Sequence, residues 1–536
     1  MAFSLIALDS FFACSLLVLV STWLRLQTTK ARRGLPLPPG PPGWPIVGNL
    51  FDMPRSNEWL AYHRWGVKYG SELVCLSAIG VNTVIVNSAR AAHELFVKRS
   101  ATYSERPALT AIKYLGIDTW DLAFLGYTTE WRLQRKLFHE HFKPSFLAKY
   151  GPHQEKIVHD FLRTLIADPT CTEDMQRFKA SIRHATGRII MHIAYGTDIQ
   201  DQDDPYLLML EKAVLSINAA IGFSGIILDL VPFLQKMPSW FPGAGFKNYA
   251  ARMRPEVGEV VMDKPWDEFT ANIDVGDKDS KKASVAGQLL EKHGADPALL
   301  STIKAIPGVM YVAGADTTVC ALTWFFLAMI LHPDAQRKAQ EELESILSGA
   351  LPTLADRDRL PYTNAVVKEV FRWHPVGPLG LAHATSSDDV YEGMFIPAGS
   401  IVIGNVWAIL HDPTLFPDPE AFEPSHFIST ENGGTYPIDL CTAGEPPFPE
   451  VAFGFGRRIC PGKVLAMNSV WLIAASVLSM FNIGPAKDVD GEDVPVAETC
   501  LSGVVSFPGP YRCAITPRSR KAWETIMATA TASSDK

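Results

Sequence analysis

Ten residues near the C-terminal end, Phe453-Gly454-Phe455-Gly456-Arg457-Arg458-Ile459-Cys460-Pro461-Gly462, constrain this chain more than any other stretch. They read as a glycine-rich loop that delivers one thiol at the start of an apolar run, Val464–Phe481, with the pattern of a helix. A helix N-terminus lowers a thiol pKa, and the thiolate is the form that binds a metal. Glycine lets backbone N–H groups approach the sulfur and tune a metal held there. Arg458 offers a planar fork suited to a carboxylate. Taken alone, the same residues also describe a buried cysteine in a tight turn.

The rest of the chain narrows the setting. Its 536 residues are 47% hydrophobic and 20% charged, the balance of a globular protein rather than a disordered one. A formal net charge of -8 gives a nucleic-acid partner no electrostatic support. Cysteines at 14, 75, 171, 320, 441, 460, 500 and 513 form no CxxC pair and no zinc-like spacing. That scatter fits free thiols in a reducing compartment.

Phe3–Leu24 is almost wholly apolar, with Asp9 its one charge, and can span a hydrocarbon core of about 30 Å. A signal peptide is the rival reading. No basic residue precedes the run and no Ala-x-Ala site follows it, so an uncleaved anchor over 1–25 is expected. Arg25, Lys30, Arg32 and Arg33 then keep the C-terminal side cytosolic. The prolines of Leu35–Pro45 predict a semi-rigid spacer within a basic and proline-rich hinge, 26–54.

From about residue 55 the pattern is mainly helical with short strand-like runs. Glu72–Ile79 and Asn82–Asn87 read as a hairpin, and Tyr391–Ile396 with Ser400–Asn405 as a second pair. Helices are expected over Pro297–Leu331, Asp334–Leu347 and Pro361–Trp373. Asp296 should cap the first and Asp334 the second, and Pro307 should bend the first. Val319–Leu331 is apolar all round but too short for a second span, so a buried central helix is expected.

The cysteine loop matches F-x-x-G-x-R-x-C-x-G, the haem-binding signature of the cytochrome P-450 family, at every fixed position. The chain resembles that family in further motifs that follow its order. Glu369 and Arg372 match E-x-x-R, three apart on one helix face. The family's F-x-P-E-R-F is here Phe422-Glu423-Pro424-Ser425-His426-Phe427, so His426 stands where an arginine is usual. The structural set becomes Glu369, Arg372 and His426, with a hydrogen bond that depends on imidazole protonation. Ala313-Gly314-Ala315-Asp316-Thr317-Thr318 resembles the oxygen-activation segment. There the small Gly314 would let the cofactor approach the helix, while Asp316 and Thr317 would relay protons as the catalytic pair. Trp131 and Arg135 match W-x-x-x-R and His383 a basic position, which implies propionate contacts for all three. Phe453, Gly456, Arg458, Cys460 and Gly462 complete the implied cofactor-binding set, with Cys460 the metal ligand.

The resemblance implies a mainly α fold with small β-sheets (α+β), one large helical catalytic domain over 55–520 behind a transmembrane helix. Residues 521–536 are expected as a polar tail. It also implies haem b on the Cys460 thiolate, a ligand that favours O–O cleavage, and insertion of one oxygen atom from O2 into a small organic substrate. With no dinucleotide fingerprint and no flavin module, electrons should come from an NADPH-dependent flavoprotein reductase, with cytochrome b5 as a further donor. Lys136, Arg457 and Lys463 could steer such an acidic partner.

Pocket walls are expected from Tyr103–Glu130, Val214–Leu230, Met310–Thr317, Val376–Leu381 and Cys500–Val505, all rich in apolar residues. The overall style resembles membrane-anchored fungal members of secondary metabolism at the endoplasmic reticulum. A terpenoid is the first expected substrate, an aromatic or indolic metabolite the second. Two rivals stand beside this reading. A haem-thiolate isomerase or dehydratase would need no reductase, and a haem sensor would not need Asp316 and Thr317.

Overall fold

Two β-branched runs meeting at Ile79-Gly80 form an antiparallel hairpin, β1 (Leu73–Ala78) against β2 (Val81–Val86). Ile79 and Gly80 take φ of 48° and 84°, the left-handed pair that a two-residue hairpin turn requires. This computed structural model describes residues 34–428 and 450–531, apart from 46, 200–203, 223, 224, 226, 227, 230 and 232. The expected anchor Phe3–Leu24, its basic flank, Cys14 and Cys441 lie outside the described residues.

The second expected strand pair does not form. Glu392-Gly393, with φ of 47° and 78°, makes its own two-residue turn inside Tyr391–Ile396. That turn folds β4 (Asp389–Tyr391) onto β5 (Met394–Ile396). β6 (Ile401–Gly404) instead runs parallel to β2 and antiparallel to β3 (His383–Ala384). Glu-Gly is a weaker turn signal than Asn-Gly, and the alternation on either side concealed it.

The β2–β6 ladder joins segments far apart in sequence, and the chain divides into two compact units. The smaller runs up to Pro107 and takes in Ala382–Asn405; the larger comprises Ala108–Leu381 and Val406 onward. In the smaller unit the proline-rich stretch is strapped down rather than left as a spacer. Its carbonyls do the bonding, since proline has no N–H. Pro39 accepts the Cys75 N–H at 2.9 Å and Pro36 accepts that of Phe395 at 2.7 Å. A Cβ on Gly40 would stand 1.9 Å from the Cys75 carbonyl oxygen, so only glycine passes. Helix α1 (Glu58–Tyr69) buries Trp59 and Tyr62 in the same unit.

The larger unit is helical. The elements that place the site are α2 (Thr129–His141), α3 (Gly151–Ala167), α4 (Met175–Tyr195) and α5 (Leu300–Leu331). They continue with α6 (Pro333–Leu347), α7 (Pro361–Trp373), α8 (Lys463–Met480) and α9 (Arg520–Thr531). Asp296 accepts the Ala298 N–H and Pro297 opens a short 3-10 turn into α5, as its sequence predicts. The helix then runs unbroken past Pro307. Trp324, Phe325 and Phe326 are wholly buried, so the apolar second half of α5 is a core element.

Helix α6 starts on Pro333, with Asp334 in its first turn rather than at the cap. Helix α8 stops at Met480 because Phe481 begins β7 (Phe481–Pro485), paired with β8 (Cys513–Pro517). The stretch expected as a polar tail is largely α9, which buries Ala522 and Ile526, four residues apart on one face.

Helices α4 and α5 approach closely at Gly314. A Cβ there would stand 2.5 Å from Ile190 Cδ1, so the Ile190 side chain would have to shift to admit a larger residue. Gly314→Ala is expected to cost about 1–3 kcal/mol by overpacking. Urea unfolding of the variant checks this.

Candidate active site

Gly454 and Gly456, at φ of 88° and 50°, bend the loop back on itself before a 3-10 turn over Gly456–Arg458. The chain then returns so that the Cys460 N–H donates to the Phe453 carbonyl at 2.8 Å. Gly462 caps α8, and the backbone N–H groups of Gly462 and Lys463 reach the Cys460 sulfur. Burial pushes the Cys460 thiol up, opposed by those N–H groups and by the charges of Arg135 and Lys463. The helix terminus therefore does not by itself give the lowered thiol expected from sequence; desolvation outweighs it.

Arg135, one turn along α2 from Trp131, is half-buried. Desolvation pulls its pKa down, and the charge of Cys460 works the other way. It has no hydrogen-bond acceptor among the described residues, while its charge is felt at the sulfur. A desolvated guanidinium whose charge is felt at a half-buried thiol fits a group that brings both a cation for sulfur and carboxylates for arginine.

Trp131 and Arg458 both reach a backbone turn. The indole N–H, the only donor Trp131 has, goes to the Leu122 carbonyl at 3.1 Å. Arg458 lies over the Trp131 ring at 4.3 Å and donates to the carbonyls of Leu122 at 3.3 Å and Leu125 at 2.8 Å. Both fasten the 122–125 turn, a backbone role no sequence motif announces.

In α7, Arg372 gives Nε and Nη2 to the two Glu369 oxygens at 2.8 and 2.7 Å, with both side chains at 0% exposure. Its remaining donors hold the carbonyls of Leu410, Pro419 and Ala421. The Glu423 N–H and His426 Nδ1 also meet Glu369. Next to Arg372, the Phe371 ring lies 5.3 Å from that of Phe453, whose carbonyl holds Cys460.

On α5, Asp316 accepts from Arg183 of α4 at 2.9 Å, both side chains mostly buried. The Thr317 and Thr318 hydroxyls donate back to the carbonyls of Ala313 and Gly314 at 2.7 and 2.8 Å. Lys179, one turn before Arg183, has its pKa pulled down by burial and held up by Cys320 and Asp316. Sequence reasoning missed Arg183 and Lys179, which look like ordinary charges of an amphipathic helix.

His383 belongs to the smaller unit. There its Nδ1 lies 2.7 Å from the Tyr103 carbonyl, so that nitrogen carries the hydrogen. One pair of expected pocket walls adjoins within the larger unit, and Ser506, just past a third, reaches a fourth. Asp229 takes the Thr110 N–H at 3.0 Å. Ser506 gives its N–H to Val376 at 2.9 Å, and its carbonyl accepts from Trp324 Nε1 of α5 at 2.7 Å.

The family model for cytochrome P450 matches residues 38–513. The chain belongs to the cytochrome P450 family. A cytochrome P450 monooxygenase from Rhodocybe pseudopiperita is 38% identical over 506 residues, 94% of either chain. Another from Armillaria gallica is 36% identical over 513 residues, covering 95% of this chain and 97% of its own. Tryptamine 4-monooxygenase from Psilocybe cyanescens is 34% identical over 494 residues, covering 91% and 94%. The protein is thus a haem-thiolate monooxygenase with cysteine-ligated haem iron and the mainly α fold with small sheets that its sequence implied.

Proposed function

We propose that Cys460 would hold the haem iron as its thiolate and that this P450 inserts one oxygen atom from O2 into a mostly apolar small molecule, as a hydroxylation. The observation that carries this is the Cys460 sulfur, set at the glycine-capped start of α8 with two backbone N–H groups on it. Haem, when bound, supplies the oxygen activation and the oxidation itself. Backbone N–H groups would temper the sulfur's charge, and Arg135 would hold a propionate as its acceptor. Phe453 fixes the loop through the Cys460 N–H.

Proton delivery falls to Asp316 and Thr317. Arg183 holds the Asp316 carboxylate, and the Thr317 oxygen keeps lone pairs free to accept a proton while its hydrogen is engaged with Ala313. Asp316→Asn and Thr317→Ala are each expected to lower product formed per NADPH consumed by about 10²-fold, the lower end for removing a positioned acid or base. Parallel assays of NADPH and product, with a substrate-binding titration as control, decide this.

Electrons come from an NADPH-dependent flavoprotein reductase, aided by cytochrome b5, at the face carrying Lys136, Arg457 and Lys463. Lys463 is paired with Glu450 at 2.9 Å and Arg457 with the Tyr127 hydroxyl, which leaves Lys136 as the exposed charge with no ion-pair partner among the described residues. Lys136→Glu is expected to slow reductase-supported turnover several-fold at low salt and little at high salt. Equal rates at low salt would remove this assignment.

The N-terminal run anchors the enzyme in the endoplasmic reticulum with its catalytic units in the cytosol. The substrate belongs to fungal secondary metabolism. A terpenoid suits the apolar walls, and an indole is the second reading, favoured by the relative named for tryptamine. The carbon monoxide difference spectrum of the reduced protein tests the ligation. A ligand screen for displacement of iron-bound water, followed by product analysis with reductase and NADPH, tests the reaction. Turnover of a peroxide substrate without NADPH would point to an isomerase instead.

A further inference from the structure

Trp324 lies wholly buried in the apolar half of α5 and spends its one polar group on a distant segment. Its Nε1–H donates to the Ser506 carbonyl at 2.7 Å, and the Cys320 thiol, one helical turn earlier, reaches the same oxygen at 3.2 Å. The face of that indole stacks on the His374 ring, with centroids 3.6 Å apart and planes 9° apart. His374 Nε2 in turn meets the Glu498 carboxylate at 2.9 Å. Glu498 and Ser506 bracket a single turn, so one side chain reaches both of its ends, by hydrogen bond at one and through a stacked ring at the other.

The turn is a small closed unit. Leu501 N–H donates to the Phe507 carbonyl and Gly509 N–H to that of Thr499, both at 2.8 Å, and the Ser506 hydroxyl donates to the Leu501 carbonyl at 3.1 Å. A Cβ on Gly509 would stand 2.1 Å from Thr499 Oγ1, so the two limbs close tightly. Leu501, Val504 and Val505 give the turn an apolar tip. A unit of this kind moves as a whole, and what aims it is its attachment.

That attachment lies beside the acid of α5. Asp316, Cys320 and Trp324 recur every four residues, which sets them on one face of the helix. From α4, Lys179 holds its ammonium 4.3 Å from the centre of the Phe507 ring, and Arg183, one turn on, donates to Asp316 at 2.9 Å. The turn therefore sits along the same helix face as the Arg183–Asp316 pair.

We propose that Trp324 is a positioning residue for substrate specificity: its indole fastens both ends of the Glu498–Phe507 turn to α5 and so fixes how far the apolar tip stands over the substrate. This rests on the assignment of Asp316 and Thr317 to proton delivery, which puts the substrate beside that face of α5.

The full haem-loaded chain carries the test. Trp324→Phe keeps an aromatic ring for His374 and removes the N–H. Hydrogen exchange of the peptide over 499–509 is expected to run about threefold to tenfold faster, the scale of one net hydrogen bond. Imidazole, which has no second ring to meet the tip, is expected to bind the iron as it does in the parent. The affinity of 4-phenylimidazole relative to imidazole is expected to change by about threefold to tenfold, since a lost tie shifts binding by no more than its own strength. Exchange at the parent rate overturns the proposal. So does faster exchange with the parent affinity ratio, which would make the indole a brace for the fold alone. Should Trp324→Phe not fold, Glu498→Ala cuts the chain of contacts at its exposed end and is expected to move the same two readings; parent values there overturn the proposal equally. Failure of the proton-delivery assignment shows separately, as parent-like product per NADPH in Asp316→Asn, and leaves both readings untouched.

Discussion

Replacing Cys460 with serine is expected to abolish the red-shifted Soret band of the reduced carbon monoxide complex and to cut turnover by roughly 10³-fold or more, the scale for losing one member of a unit that acts together. Serine is close to cysteine in size, and the loop's own hydrogen bond, Cys460 N–H to Phe453, does not involve the side chain. Far-ultraviolet circular dichroism should therefore remain that of the parent. What changes is the ligand. A hydroxyl lacks the readily ionised sulfur that binds haem iron and feeds electron density toward dioxygen. A serine variant with the parent spectrum and rate would end the assignment of this residue.

Glu369→Ala is expected to be the most damaging substitution away from the haem. It takes the acceptor from Arg372 Nε and Nη2, from the Glu423 N–H and from His426, and leaves buried positive charge with no carboxylate. Breaking a buried ion pair from one side costs about 3–5 kcal/mol, a large part of the roughly 5–15 kcal/mol that holds most domains folded. The protein should be recovered largely without haem, with a markedly lower urea midpoint in what remains. Arg372→Leu should do comparable harm by orphaning the carboxylate. Parent-like midpoints for both would show that the pair bears little of the fold's stability.

Much of the site was legible because its chemistry depends on local spacing. Three residues on one turn of helix suffice to bring Glu369 to Arg372, and they do pair. The glycines of the cysteine loop signalled positive φ, and Gly454 and Gly456 adopt it. Partners that come from distant segments were less legible. Trp131 and Arg458 hold the 122–125 turn, a stretch with no polar signature because its acceptors are backbone carbonyls. Gly314 faces Ile190 on another helix, a neighbour no local pattern announces.

The amino-acid order alone determined the helical character, the glycine-rich loop that carries Cys460 and the departure at His426, since each is written in local pattern or residue type. Tertiary structure decided the partners. It set Arg183 on Asp316, β6 beside β2 and four acceptor carbonyls around Arg372 and His426. It also decided that burial, not the helix terminus, governs the free thiol. The reason is physical: hydrogen bonding and desolvation depend on what lies within a few ångströms in space, and residues that neighbour each other there can be hundreds apart along the chain.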